Sequence, residues 1–283
     1  MRAPARKVAK RPRSEPPRGL PPREAGGTRA RARAGGLLLA VESSGAEPSV
    51  ALLRGGELVA ERRAPAHRPG SETLLPAIDA LLRRARCAPA EIAAFAVCVG
   101  PGSFTGLRVG VATVKGLAFG SDAPVAPVGS LAALALRAPR TRDAIVAVID
   151  ARRDEVYAAG FARDGDELVP GDLPEGLYAP EELAARLPER CVLVGDGVAV
   201  CGEPVRAALG PAVRLLPPPR GRVRARDVAR LGLRLLERGL CVDSADLVPR
   251  YLRRAEAEVR RTGNRTEPPG CRAAARDARI RNI

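Results

Sequence analysis

Val97-Cys-Val-Gly100-Pro-Gly102-Ser103-Phe-Thr105-Gly106-Leu-Arg108-Val-Gly110-Val-Ala-Thr-Val-Lys-Gly116 runs an apolar strand into a turn with three glycines and on into an apolar helix. Glycine tolerates positive φ and close backbone approach, and a helix N-terminus offers unpaired N–H groups. Gly100, Gly102 and Gly106 therefore suit either an anion nest or a tight strand-to-helix connection. The spacing excludes three standard assignments. A Walker loop needs a glycine five residues after the first, where Thr105 stands, and a Lys-Ser/Thr pair behind it. A dinucleotide fingerprint needs its third glycine one residue before Gly106. A nucleophile elbow around Ser103 needs glycines where Pro101 and Thr105 lie. With no base near in sequence, Ser103 and Thr105 read as helix caps, because capping needs only a hydroxyl. Arg108 in the first turns can meet an anion, pair with an acid of a partner, or remain a solvated charge.

Around this stretch the pattern is βββαβα. Apolar runs at Leu37 to Glu42 and Pro48 to Leu53, and an alternating run from Glu57 to Arg63, are separated by Ser-Ser-Gly-Ala and Gly-Gly turns. A helix capped by Ser71 or Thr73 follows, with Leu74, Leu75, Ile78, Leu81 and Leu82 on one face. A strand at Ala93 to Val99, a helix from about Thr105 to Gly120, a strand near Val125 and a helix from Ser130 complete the unit. A similar order restarts at Ala144, where Ile145-Val-Ala-Val-Ile-Asp150 again ends in an acid and Glu155 to Phe161 forms the next strand. Leu168, Pro180, Cys191 to Val194 and Val213 to Leu216 mark further elements. A helix at Arg226 to Glu237, with Val228, Leu231, Leu235 and Leu236 inward and Gly239 behind it, closes the pattern. The expected fold class is α/β, with two ribonuclease-H-like subdomains at 37–138 and 139–250.

Charge sits at the ends. Of a net +15, residues 1–36 hold 11 Lys and Arg against 2 acids, and residues 251–283 hold 9 against 4. Residues 37–250 carry 27 against 26, so the body is nearly neutral. Both ends are poor in large aliphatic side chains and read as disordered basic tails, suited to sequence-independent attraction to RNA phosphates or simply dispensable. No apolar segment suits a signal peptide or a membrane span. The six cysteines show no C-x-x-C spacing, which fits reduced thiols in the cytoplasm. His67 is the one histidine, so a His-based metal site or a Ser-His triad has nothing to build from. With 3 Tyr, 4 Phe and no Trp, base-stacking platforms are not expected.

Leu38-Leu-Ala-Val-Glu42-Ser43-Ser44, Gly100-Pro-Gly-Ser-Phe-Thr-Gly-Leu-Arg-Val-Gly110, Ile149-Asp-Ala-Arg152 with Glu155-Val-Tyr157, and Tyr251-Leu-Arg253 together resemble the TsaB (YeaZ) family over about residues 37 to 254. The resemblance implies the duplicated fold of the actin, sugar-kinase and Hsp70 superfamily. It also implies a non-catalytic subunit of the bacterial complex that makes threonylcarbamoyladenosine in tRNA, paired with a TsaD-like subunit and joined by a TsaE-like ATPase. Nothing would bind tightly to this subunit: ATP or ADP and metal belong to the partners, tRNA is met through the complex, and a homodimer is the resting alternative. TsaD-like metal binding uses two histidines one helical turn apart, which this chain lacks, and His67 lies three residues from where the family tends to place its histidine. Glu42, Ser43, Ser44, Gly100, Gly102, Ser103, Thr105, Gly106 and Arg108 would form at most a vestigial anion or nucleotide loop, with no catalytic or metal residue. The partner interface falls on the two helices, at Leu74, Leu75, Ile78, Leu82, Val111, Val114 and Leu117, so that Val111→Glu or Leu75→Arg would abolish docking without unfolding. An independent kinase-like enzyme, testable by Mg-ATP binding, and a peptidase, testable by Ser103→Ala, are the competing classes.

Overall fold

A computed structural model describes residues 36–65, 69–121 and 123–253. The expectations about His67, Cys271 and most of both tails concern positions outside these. Three strands open the chain: β1 (Leu37–Glu42), β2 (Ser49–Arg54) and β3 (Glu57–Arg63). Helix α1 (Gly70–Ala85), β4 (Ile92–Gly100), α2 (Phe104–Phe119), β5 (Val125–Gly129) and α3 (Ser130–Ala135) follow. The second series is β6 (Ala144–Arg152), β7 (Glu155–Asp164), β8 (Glu167–Pro170), β9 (Gly176–Tyr178), α4 (Pro180–Arg186), β10 (Cys191–Val194), α5 (Val198–Leu209), β11 (Arg214–Leu216) and α6 (Ala225–Glu237).

The duplication is visible in strand order. The first sheet runs β3-β2-β1-β4-β5 and the second β11-β10-β6-β7-β8, with β9 added on β7. Counted within each half, both read 3-2-1-4-5, with the first three strands antiparallel and the last two parallel to the first. This is the two-subdomain fold of the actin and sugar-kinase superfamily. Every residue of β1 and of β4 is buried, because helices cover both faces of the sheet. Hence these strands read as continuous apolar runs.

One face of the first sheet, with Leu39, Val41, Leu52, Phe95 and Val97, packs on α1 and α2. The other presents small side chains, Ala40, Ala51, Ala94, Ala96 and Ala126, to α6. Alanines on the sheet and Gly232 on α6 let the two approach closely; a Cβ built on Gly232 would lie 2.4 Å from that of Ala96. Val228, Leu231, Leu235 and Leu236 of α6 are fully or nearly buried there, each worth about 1.5–3 kcal/mol of transfer free energy.

This packing corrects the expected boundary at 139–250. The chain leaves the second sheet after β11 and returns, so α6 covers the first. Val242 then bridges Val125, and the Arg250 amide donates to Val99 O at 2.7 Å. Two further expectations change. Neither Ser71 nor Thr73 caps α1, which begins at Gly70 behind Pro69, and the Thr73 hydroxyl instead donates to Pro69 O at 3.2 Å. Helix α5 went unread because Gly197, Gly202 and Pro204 interrupt the apolar spacing of Val198, Cys201 and Val205, all buried on the second sheet.

Candidate functional site

The family-type nucleotide cleft would lie where β1 and β6 end side by side. At the end of β1 stands Glu42, 1 % exposed. Its Oε1 accepts from Ser44 N (2.6 Å), Ser44 Oγ (2.6 Å) and Gly45 N (3.2 Å), so the carboxylate closes its own turn. Burial pushes its pKa up to about 7, against the pull of the Ser44 and Gly45 hydrogen bonds. A carboxyl with a raised folded pKa stabilises the fold below its unfolded value of about 4.5, and that contribution fades as pH rises to about 7. Melting temperature is therefore expected to fall across this window, by up to ~3 kcal/mol of stability. Glu42→Gln, measured by thermal melts from pH 4.5 to 8, should remove part of that slope, the rest belonging to Asp227, which burial raises to about 6, and to Asp196, raised by burial as well; an unchanged slope would refute the assignment.

The glycine turn faces inward. Gly102 and Gly106 pack against the carbonyls of Ser44 and Ser43, where added Cβ atoms would lie 2.6 and 2.0 Å from the oxygens. Gly100 lies under Arg250 O in the same way, at 2.3 Å and φ +123°. Ser103 N donates to Ser44 O (2.8 Å), and Ser43 Oγ donates to Gly106 O (2.8 Å). Ser103 caps α2 as expected, its Oγ accepting from Gly106 N at 3.2 Å, whereas Thr105 lies inside the helix and is exposed. Two amides that could face an anion are already engaged, that of Ser103 by Ser44 O and that of Gly106 by Ser103 Oγ. The fold thus brings Glu42, Ser43, Ser44, Gly100, Gly102, Ser103 and Gly106 together, with the three glycines in close contact with backbone.

Across the cleft, Asp150 N donates to Asp196 Oδ1 at 3.0 Å, while Asp150 Oδ1 accepts from Arg152 N at 2.7 Å. Gly195, at φ +140°, packs on Val148 O. What remains between Glu42, Asp196, Gly221 and Arg222 is a cavity of about 70 Å³ with the Arg222–Glu47 ion pair among its lining. Small-molecule sites run to roughly 300–1,000 Å³. A second cavity of about 340 Å³ lies between β5, α3 and the 160–175 segment, and its charged lining is Arg250 and Glu175, which bond each other in a bidentate pair at 2.5 Å. Among the described residues, no three His, Cys, Asp or Glu side chains are grouped to hold a metal.

Arg108 is exposed and ordered by aromatics. Its guanidinium lies 3.7 Å from the Phe104 ring centre, and Nε donates to Tyr251 Oη at 3.0 Å. The residues that sequence reasoning left without a role are Arg250 and Arg253. Arg253 bonds Glu155 and donates to Ala151 O, so the 250–253 segment staples β4 to both the β6–β7 hairpin and the loop at Glu175. The Tyr-Leu-Arg match at 251–253 was the one available signal.

The expected interface residues separate into two groups. Leu74, Ile78, Leu82, Val111 and Val114 are no more than 5 % exposed and face the first sheet, so they are core residues and not contact residues. Leu75 is 53 % exposed and Leu117 half-buried. The outward stripe of α2 is instead Thr105, Arg108, Ala112, Gly116 and Phe119, the last 81 % exposed.

A family model described as TsaD: tRNA N6-adenosine threonylcarbamoyltransferase matches residues 64–260. The chain is 42% identical over 129 residues to the tRNA threonylcarbamoyladenosine biosynthesis protein TsaB of Haemophilus influenzae, covering 45% of this chain and 54% of that one. To TsaB of Escherichia coli it is 33% identical over 165 residues, 56% of this chain and 71% of that protein. The structure of YeaZ from Pseudomonas aeruginosa superposes with a TM-score of 0.66 at 31% identity, covering 77% of this chain and 100% of that one. With its duplicated sheets, its closed cleft and these likenesses, the chain belongs to the TsaB/YeaZ family of tRNA threonylcarbamoyladenosine biosynthesis proteins, within the wider group that the TsaD model matches.

Proposed function

We propose that this chain is a non-catalytic scaffold subunit of a cytoplasmic tRNA threonylcarbamoyl transferase. It docks on a TsaD-like subunit, a TsaE-like ATPase joins the pair, and the complex transfers the threonylcarbamoyl group from threonylcarbamoyl-AMP to N6 of the adenosine next to the anticodon of ANN-decoding tRNAs. The observation that carries this reading is the cleft: about 70 Å³ of space, with Glu42 turned back on its own Ser44 and Gly45. ATP or ADP and metal then belong to the partner subunits. The docking face is the outward side of α1 and α2, where Leu75 and Phe119 stand exposed beside the small Ala112 and Gly116. Exposed apolar side chains flanking small ones leave room for a partner's helix to approach. A second copy occupies this face when the partner is absent.

Leu75→Arg with Phe119→Asp tests it. Melting temperature should stay within a degree or two, while capture of the TsaD-like subunit and tRNA modification in the reconstituted mixture fall at least tenfold, since two interface anchors are lost. Unchanged capture would refute the face, and tight Mg-ATP binding with turnover by the isolated chain would refute the non-catalytic reading.

A further inference from the structure

Residues 214–238 hold eight arginines against two acids, Asp227 and Glu237, in a body whose total charge over 37–250 is nearly balanced. The rest of the body is therefore net acidic. On α6 the arginines recur at 226, 230 and 234, with Arg238 at the C-cap. Successive steps of four residues advance about 6 Å along the helix axis, so the stripe forms a ladder along one flank of the helix, beside the face that buries Val228, Leu231 and Leu235.

Neighbouring elements extend it. Arg137, beyond α3, donates to Arg220 O at 3.3 Å and lies 3.8 Å from Asp227. Arg234 donates to the Asp166 carbonyl at 3.1 Å. Like charges crowd here: burial and the guanidiniums of Arg140 and Arg234 hold Arg163 below the ordinary arginine value, and burial with Arg137 and Arg226 does the same for Arg224. Acids temper the face: Glu47 on Arg222, Glu61 on Arg226, Asp166 on Arg140, Glu167 on Arg238 and the buried Asp227. Arg220 and Arg230 are exposed.

We propose that this arginine face binds the phosphate backbone of RNA, and, resting on the function proposed above, that the RNA is the tRNA substrate. A ladder of guanidiniums matches a polyanion better than a compact acidic patch, since it presents charge along a line, and Arg bonds phosphate with two parallel N–H groups. No Phe, Tyr or Trp lies in residues 214–238, so the contact is read as electrostatic and sequence-independent, without base stacking.

The test uses the full chain and an unmodified tRNA transcript, with affinity measured by fluorescence anisotropy from about 50 to 200 mM salt. Arg220→Glu/Arg230→Glu should bind roughly tenfold more weakly and lose about two from the slope of log affinity against log salt, because two phosphate contacts go. Arg220→Gln/Arg230→Gln should give a smaller shift in the same direction. Arg206→Glu, exposed on α5, should leave the slope unchanged. Equal slopes for the double variants and the parent would overturn the proposal. So would a variant that keeps its tRNA slope but loses the TsaD-like or TsaE-like protein, which would make this an acidic-protein face. Failure of the wild-type chain to capture a TsaD-like subunit would instead refute the complex and leave the RNA measurement standing.

Discussion

Gly106→Ala and Gly116→Ala, the same change at two places in helix α2, are expected to shift stability in opposite directions. In an exposed helix interior, replacing Gly by Ala gains about 0.5–1 kcal/mol through backbone entropy. Gly116 meets that case: it is exposed, and an added Cβ has nothing within 4 Å. Gly106 does not. Its Cβ would lie 2.0 Å from Ser43 O and 3.2 Å from Ser43 C, and the obstacle is backbone at the end of β1, so no side-chain rotation relieves it. Separating α2 from that segment also strains the Ser43 Oγ bond to Gly106 O and the Ser103 N bond to Ser44 O. A net loss of roughly 3 kcal/mol or more follows, at the upper end of overpacking costs, against a total stability of about 5–15 kcal/mol for a typical native protein. Urea denaturation of both variants decides it. A Gly106→Ala protein as stable as the parent would mean that the turn is open after all, with room for a ligand between Gly106 and Ser43.

Val111→Glu is expected to unfold the chain, whereas Leu75→Arg leaves it folded. Val111 is 4 % exposed in the cluster that holds Leu39, Val41 and Phe95. A glutamate there exchanges apolar contact for a carboxylate in the core, and burying a charge costs several kcal/mol. The expected loss is about 4–5 kcal/mol or more, enough to exhaust a marginal fold. Soluble yield and the far-ultraviolet dichroism of the purified variant measure it. If Val111→Glu folds normally and fails only to capture its partner, the face assigned to Val111 is wrong.

The contrast between these two positions marks how far the sequence could be read. Both helices carry apolar residues over more than one narrow stripe, and from spacing alone Leu74 and Leu75 are equivalent neighbours. Burial separates them, at 1 % and 53 % exposure, because the sheet lies under one and solvent over the other. Likewise Gly100, Gly102 and Gly106 announced a place where backbone comes close to something. Glycine's lack of a side chain serves a phosphate and a neighbouring carbonyl equally, so the identity of that neighbour was not in the motif.

Composition, strand periodicity and the Gly-Pro-Gly-Ser-Phe-Thr-Gly string sufficed for the class of fold, its duplication and its family, since these follow from local pattern. Tertiary structure alone decided three things: that α6 crosses back to cover the first sheet, that the glycine turn packs on the backbone of Ser43 and Ser44, and that Arg137 and Arg163 lie beside the arginines of α6 and the segment before it. Each depends on residues far apart in the chain meeting at bonding distance. A hydrophobic period states which side of an element is buried, and it is silent about what buries it.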